Sequence, residues 1–319
     1  MLGFGGLTHL PLPGGFPSPT GAEAEAAVAV LGEALARGPV LVDGLALGAL
    51  PGVAGLPAEL RARLAALCHH PLGLEPGLSP AESARRLAEE SAALAACAAV
   101  AVTSDTTGRT LTERLGVPSD RITVALPGTD PAPQAPRRGD PPLILGVGTL
   151  SRRKGWDLLL SALAAVADRP WRAVIAGADD RDPETAAALR AQCEARRLAG
   201  RVDLPGALPR AEVDRLYLEA DLFVLPSRYE GFGMVVTEAL ARGLPVIAAD
   251  AGAVAEAAGG AARLVPPEDP RALAEALEDL LDRPAARDRL AAAARARAAD
   301  LPGWKDTARR LRAMLEALR

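Results

Sequence analysis

One pattern constrains this chain more than any other: apolar runs three to six residues long recur between longer Ala/Leu/Arg segments of helical spacing. Such alternation is what a parallel sheet covered by helices on both faces requires, so the fold class is α/β. In the first half the candidate strands are Leu7 to Leu12, Val40 to Val42, Leu64 to Cys68, Ala99 to Thr103 and Ile122 to Ala125. In the second half they are Leu143 to Val147, Arg172 to Ala176, Val202 to Leu204, Leu222 to Leu225 and Pro245 to Ala248. These runs suit two doubly wound, Rossmann-like sheets better than one, and a chain of 319 residues is long enough for both.

The best linker is Pro127-Gly128-Thr129-Asp130-Pro131-Ala132-Pro133, followed by a further proline-rich stretch to Pro142. It predicts units at 1–131 and 132–319, with a last helix at about 304–319 packing back on the first unit. A doubly wound unit normally opens with a strand, a glycine turn and a helix. The first unit begins almost directly with Leu7 to Leu12, so it is expected to lack that first strand and helix. Ser79-Pro80-Ala81-Glu82 predicts a helix start with a capping box, and Asp182-Pro183 predicts another start.

Composition removes several function classes. A net charge of −4 gives no basic field for nucleic acid, and 3% aromatic residues supply no stacking platform. Three cysteines, Cys68, Cys97 and Cys193, match neither a zinc site nor a disulfide framework, which points to a reducing, cytoplasmic setting. The first twenty residues carry four prolines and no basic start, unlike a signal peptide or a spanning helix. The Ala/Leu/Arg/Pro bias suggests a GC-rich bacterial genome. Lys305, Arg309, Arg310, Arg312 and Arg319 leave open a weak peripheral contact with anionic lipid, although a solvated helix face is the better account.

Chemistry concentrates in Pro226-Ser227-Arg228-Tyr229-Glu230-Gly231-Phe232-Gly233-Met234-Val235-Val236-Thr237-Glu238. A buried strand ends at Pro226, a glycine-spaced loop follows, and a helix is predicted from near Gly233. Its first turn offers unpaired N–H groups and the positive end of the dipole to an anion, which Gly231 and Gly233 let approach the backbone. Glu230 and Glu238 would stand about 12 Å apart along a helix at ~1.5 Å per residue. Carboxylates flanking one glycosidic bond stand about 5 to 9.5 Å apart, so this pair suits opposite ends of a long ligand. A second loop, Gly146-Val147-Gly148-Thr149-Leu150-Ser151-Arg152-Arg153-Lys154-Gly155, also follows a strand. Arg153 and Lys154 can neutralise a diphosphate there, although on their own such a run reads more readily as a solvated turn.

Over residues 99 to 319 the chain resembles glycosyltransferase family 4, retaining enzymes of the GT-B fold. The family's Glu-x7-Glu signature is similar to Glu230 and Glu238, its Glu-Gly-Phe-Gly loop to Glu230 to Gly233, and its diphosphate-binding Arg-Lys to Arg153 and Lys154. Its Gly-Gly-x-Pro-Glu loop is similar to Ala251 to Glu256, where the first glycine and the proline are both alanine. The resemblance implies a nucleotide-diphosphate sugar as donor and an acceptor hydroxyl on a glycan, lipid or small molecule. It implies neither metal nor cofactor. Glu238 would then bind the donor ribose, while Glu230 and the amides of Phe232, Gly233, Met234 and Val235 would hold sugar and phosphates beside Gly231 and Gly148. Cys68-His69-His70-Pro71 is similar to a family strand end that carries a histidine near the sugar; either ring fits, and a packed neutral pair is the structural alternative.

Asp180-Arg181-Asp182 spells a metal-binding pattern of the other large glycosyltransferase fold, but Asp182 is better used as a helix cap. Gly146-Val147-Gly148 lacks the third glycine of a dinucleotide site, because position 151 is Ser. The competing reading of the whole chain is a catalytically impaired nucleotide-sugar-binding protein of the same fold.

Overall fold

A computed structural model of the chain describes residues 7–13 and 15–318. The first half contains α1 (Gly21–Arg37), β1 (Val40–Asp43), α2 (Gly44–Leu47), α3 (Ala58–Arg61), β2 (Leu64–Cys68), α4 (Pro80–Ala95), β3 (Ala99–Val102), α5 (Asp105–Leu115) and β4 (Ile122–Val124). The second contains β5 (Leu143–Val147), α6 (Trp156–Ala165), β6 (Arg172–Ala176), α7 (Pro183–Ala195), β7 (Val202–Gly206), α8 (Arg210–Glu219), β8 (Leu222–Leu225) and α9 (Met234–Ala241). It closes with β9 (Val246–Ala249), α10 (Val254–Ala258), β10 (Ala262–Val265), α11 (Pro270–Asp282), α12 (Pro284–Ala299) and α13 (Trp304–Glu316).

Two parallel sheets result, one of order β1-β2-β3-β4 and one of order β10-β9-β8-β5-β6-β7. In the second sheet the chain leaves β5 in one direction for β6 and β7, then returns to β8 on the opposite side of β5. Loops following β5 and β8 therefore diverge and leave a crevice between them, the position where open α/β sheets bind ligands. Both chemistry-bearing loops follow these two strands. The core of this sheet centres on fully buried Trp156, Tyr217, Phe223 and the strands themselves.

Most of the apolar runs become strands. Leu7 to Leu12 does not: this segment is irregular and largely exposed, with Leu7 at 61% and Leu10 at 44%. Pro11 and Pro13 explain the failure, since proline cannot donate to a ladder. Ala262–Val265 forms an edge strand that the pattern hid, because Arg263 interrupts the apolar run. The Ser79 hydroxyl caps α4 by accepting the Glu82 N–H at 3.2 Å, but Glu82 turns its own side chain to Arg85 and Arg86, so half of the expected capping box forms. Asp182 caps α7 through the Thr185 N–H at 3.1 Å.

The chain crosses between the sheets twice, side by side. Thr129 N–H donates to Pro302 O at 2.8 Å, and a side-chain carbon on Gly128 would come within 2.3 Å of Trp304 N. Beyond this crossing α13 lays Leu311, Met314 and Leu315 on the alanine face of the first sheet, Ala65, Ala99 and Ala101. Lys305, Arg309, Arg310 and Arg312 point outward; Arg319 lies outside the described residues. Among the described residues no helix is long and apolar enough to cross a membrane. Small side chains on the sheet let Met314 seat deeply, so Met314→Ala should cost roughly 2 to 3 kcal/mol, measured by urea denaturation; an unchanged midpoint would mean that α13 is not held by this contact.

Candidate functional site

Glu230 is the centre of the crevice. It is buried, at 6% exposure, and its Oε1 accepts from Lys154 Nζ and from Ser227 Oγ, both at 2.6 Å. Arg153 Nη1 reaches Oε2 at 3.4 Å and also donates to the carbonyl of Tyr229 at 3.0 Å. Lys154 is itself buried, so the Arg-Arg-Lys run divides: Lys154 and Arg153 turn into the crevice while Arg152 faces solvent. Gly148 lies beneath the aliphatic stem of Lys154, where a side-chain carbon would crowd Lys154 Cε at 3.1 Å.

The two loops are fastened by Arg228, which sequence reasoning passed over. Its N–H donates to Arg153 O at 2.8 Å, and its guanidinium grips both oxygens of Asp157 at 2.8 and 2.9 Å. A lone arginine in a loop carries no signal of such a role; only the folded proximity of β5 and β8 creates it.

Gly233 occupies the left-handed region at φ +96°, a conformation glycine adopts without strain, and directly precedes α9. The first turn of α9 therefore begins four residues after Glu230. Phe232 is buried behind the loop, while Met234 is exposed. Glu238, one turn into α9, faces α8 rather than Glu230. Its Oε1 accepts from Arg210 Nη1 at 2.7 Å and its Oε2 from the hydroxyl of Tyr217 at 3.1 Å. Tyr217 is fully buried and stacks on Phe223 with ring centroids 5.7 Å apart. A cavity of about 580 Å³ adjoins this carboxylate, lined by Arg210, Met234, Arg242, Trp304 and the linker from Gly128 to Pro133.

From the first sheet, the turn after β2 presents His69 and His70. His69 is exposed and its Nε2 lies 3.1 Å from Asp43 Oδ2; this hydrogen bond, working against burial, lowers the Asp43 pKa. His70 is half-buried, its Nε2 2.9 Å from Glu75 Oε1 and its ring 5.6 Å from that of Tyr229. Of the two rings, His70 is the one joined to the crevice, because Glu75 also lies 3.5 Å from Arg153 Nε. Burial pushes the Glu75 carboxyl up, yet the His70 hydrogen bond and the charges of His70, Arg153 and Arg86 outweigh it, so its pKa is lowered. Glu75 has no sequence motif and is found only through the fold. Behind the turn, buried Glu90 accepts the Leu72 N–H at 2.8 Å and lies 4.0 Å from Cys68 Sγ. Among the described residues, no group of three or more His, Cys, Asp or Glu side chains is placed to hold a metal ion.

Residues 130–297 match the family described as glycosyl transferases group 1. The chain is 37% identical over 265 residues to the D-inositol 3-phosphate glycosyltransferase of Thermobispora bispora, covering 75% of this chain and 60% of that protein. It is 35% identical to the enzyme of the same name from Frankia alni, covering 73% of this chain and 62% of that one. The chain thus spans about three-fifths of the length of these curated relatives. Among solved structures, sucrose-phosphate synthase from Thermosynechococcus elongatus superposes with a TM-score of 0.77 at 25% identity, over 93% of this chain and 78% of that one. HepE of Anabaena, solved in complex with UDP-glucose, superposes with a TM-score of 0.70 at 21% identity, over 91% of this chain and 81% of that one.

Burial raises the Glu90 carboxyl to about 7 from its ordinary 4.5. Between those two values the folded protein holds this proton more firmly than the unfolded chain does, so Glu90's contribution to stability falls as pH rises through the window. Glu90→Gln should accordingly gain on the parent protein by on the order of 3 kcal/mol between pH 4.5 and pH 8. Thermal melts across that range check it; a pH-independent difference would refute the buried, titrating carboxyl.

Proposed function

The chain belongs to the group 1 glycosyl transferases and has the GT-B fold, and from that premise we propose that it is a retaining, hexosyltransferase-like glycosyltransferase. In this reading it moves a sugar from a nucleotide-diphosphate sugar to an acceptor hydroxyl. One observation carries the proposal: Lys154 and Arg153 converge on Glu230, four residues before the first turn of α9, where the loops after β5 and β8 meet. Two cations and a helix amino end at one point are suited to a diphosphate. The likeness to a structure solved with UDP-glucose makes a uridine donor the first to try.

An arriving diphosphate takes over Lys154 and Arg153 from Glu230, whose carboxylate is then free to accept from sugar hydroxyls. Glu238, braced by Arg210 and Tyr217, accepts from the ribose at the other end of the donor. Residues 132–319 act as the donor-binding unit and 1–131 as the acceptor-side unit, with His70 and Glu75 closing over the sugar. The bond from the anomeric carbon to the phosphate oxygen breaks, and a bond to the acceptor oxygen forms on the same face. A diphosphate oxygen takes the acceptor proton. Lys154, Arg153 and the α9 amides stabilise the departing charge without a metal, and much of the remaining acceleration comes from holding donor and acceptor together.

Thermal shift and calorimetry with UDP, GDP, ADP and UDP-glucose test the site. A ligand at about a hundred times its dissociation constant should add on the order of 2.7 kcal/mol. Glu238→Gln and Lys154→Gln, the second chosen to leave Glu230 a hydrogen-bond donor, should each weaken nucleotide binding at least tenfold. Sugar transfer, with D-inositol 3-phosphate offered first because the curated relatives bear that name, should be unchanged by EDTA within twofold. A loss of transfer on chelation would overturn the metal-free step. Nucleotide binding with no transfer to any acceptor or to water would favour the impaired binding protein.

A further inference from the structure

Glu256, on α10 of the second sheet's layer, reaches across the crevice to α5 of the first. Its carboxylate accepts the Asp105 N–H at 2.8 Å, the Thr106 N–H at 3.0 Å and the Thr106 hydroxyl at 3.1 Å. These amides belong to the first turn of α5, which the helix cannot satisfy internally, and a carboxylate there also meets the positive end of the dipole. The third amide of that turn, Thr107 N–H, is taken by α5's own cap, Ser104 Oγ, at 2.9 Å. Helix α5 is therefore capped jointly by its own serine and by a glutamate 151 positions away.

The contact continues toward the candidate site. Thr107 Oγ1 lies 3.4 Å from His69 O and 3.3 Å from Gly231 O, one carbonyl from each side of the crevice, and its single proton serves either. The carbonyl of His69 in turn sits on the backbone of Gly231, where an added side-chain carbon would come within 2.2 Å of it. Gly231 is not in a left-handed conformation, so space is the reason for glycine here. Glu256, Thr107, the His69–His70 turn and the Glu230–Gly231 loop thus form one continuous line of contacts.

We propose that Glu256 is a positioning residue whose carboxylate, by capping α5 from the opposite sheet, holds the closed juxtaposition in which the His69–His70 turn faces Glu230. Closure seats the His69 carbonyl on Gly231, and a side chain at 231 keeps the two faces apart. The catalytic consequence rests on the glycosyltransferase reading above, whereas the clasp itself does not. Glu256 is partly exposed and lies outside both hydrophobic cores, so truncating its side chain leaves them intact.

Three measurements on the full chain separate these layers: amide exchange at residues 103–108, UDP affinity, and release of glucose from UDP-glucose with water as acceptor. Glu256→Ala should speed exchange of the Asp105 and Thr106 amides at least tenfold and slow glucose release at least tenfold, with UDP affinity held within threefold. Glu256→Gln, which keeps an acceptor oxygen, should fall between. Gly231→Ala, whose added carbon meets the His69 carbonyl, should likewise slow glucose release at least tenfold. Parent-like exchange at Asp105 and Thr106 in Glu256→Ala would overturn the clasp, and parent-like glucose release in that variant would overturn its positioning role. Failure of the parent protein to bind UDP or release glucose would count against the donor reading alone, with the exchange measurement still deciding the clasp.

Discussion

The arrangement of the crevice depends on one buried ion pair, Lys154 with Glu230. Taking two charges out of water is costly, and a buried pair contributes little net stability compared with an apolar pair of the same size. Its effect here is geometric. Lys154 comes from the loop after β5 and Glu230 from the loop after β8, so the pair, with Ser227 and Arg153 completing the carboxylate's partners, fixes the spacing of two loops that the sheet topology otherwise sends apart. Substituting either partner alone would leave a buried charge uncompensated.

Arg228 repeats the same logic nearer the surface, tying the Arg153 carbonyl to Asp157 at the start of α6. Together the two fastenings make one wall of the crevice from segments more than seventy residues apart. The opposite wall comes from the first sheet. It consists of the His69–His70 turn, Glu75 and the amino end of α5, all at the carboxyl ends of first-sheet strands, and it touches the cationic wall through Glu75, Thr107 and Glu256.

The fold was legible because parallel strands buried on both faces must be written as short apolar runs, and such runs as Leu64 to Cys68 and Leu222 to Leu225 begin and end where the strands do. The errors have physical causes. Leu7 to Leu12 has the apolar content of a strand but is bounded and interrupted by prolines, and Ala262–Val265 is an edge strand whose exposed face tolerates Arg263. The candidate site was legible where a loop carries its own chemistry, as Glu230 to Gly233 and Arg153-Lys154 do, and the fold brings Arg153 and Lys154 onto Glu230. Arg228, Glu75, Glu90 and Tyr217 were not, since each acts through a partner distant in sequence and none sits in a distinctive local pattern.

By itself the sequence determined the α/β class, the break at Pro127 to Pro142 and the glycine-spaced loop before α9, because these follow from local rules of burial, proline geometry and backbone freedom. Tertiary structure alone decided which of two adjacent histidines joins the crevice, that Arg153 and Lys154 are drawn inward onto Glu230 while Arg152 stays in water, and that Glu256 caps a helix of the other sheet. Those outcomes depend on which strand ends become neighbours, and hydrogen bonds and ion pairs act over a few ångströms of space whatever the distance along the chain.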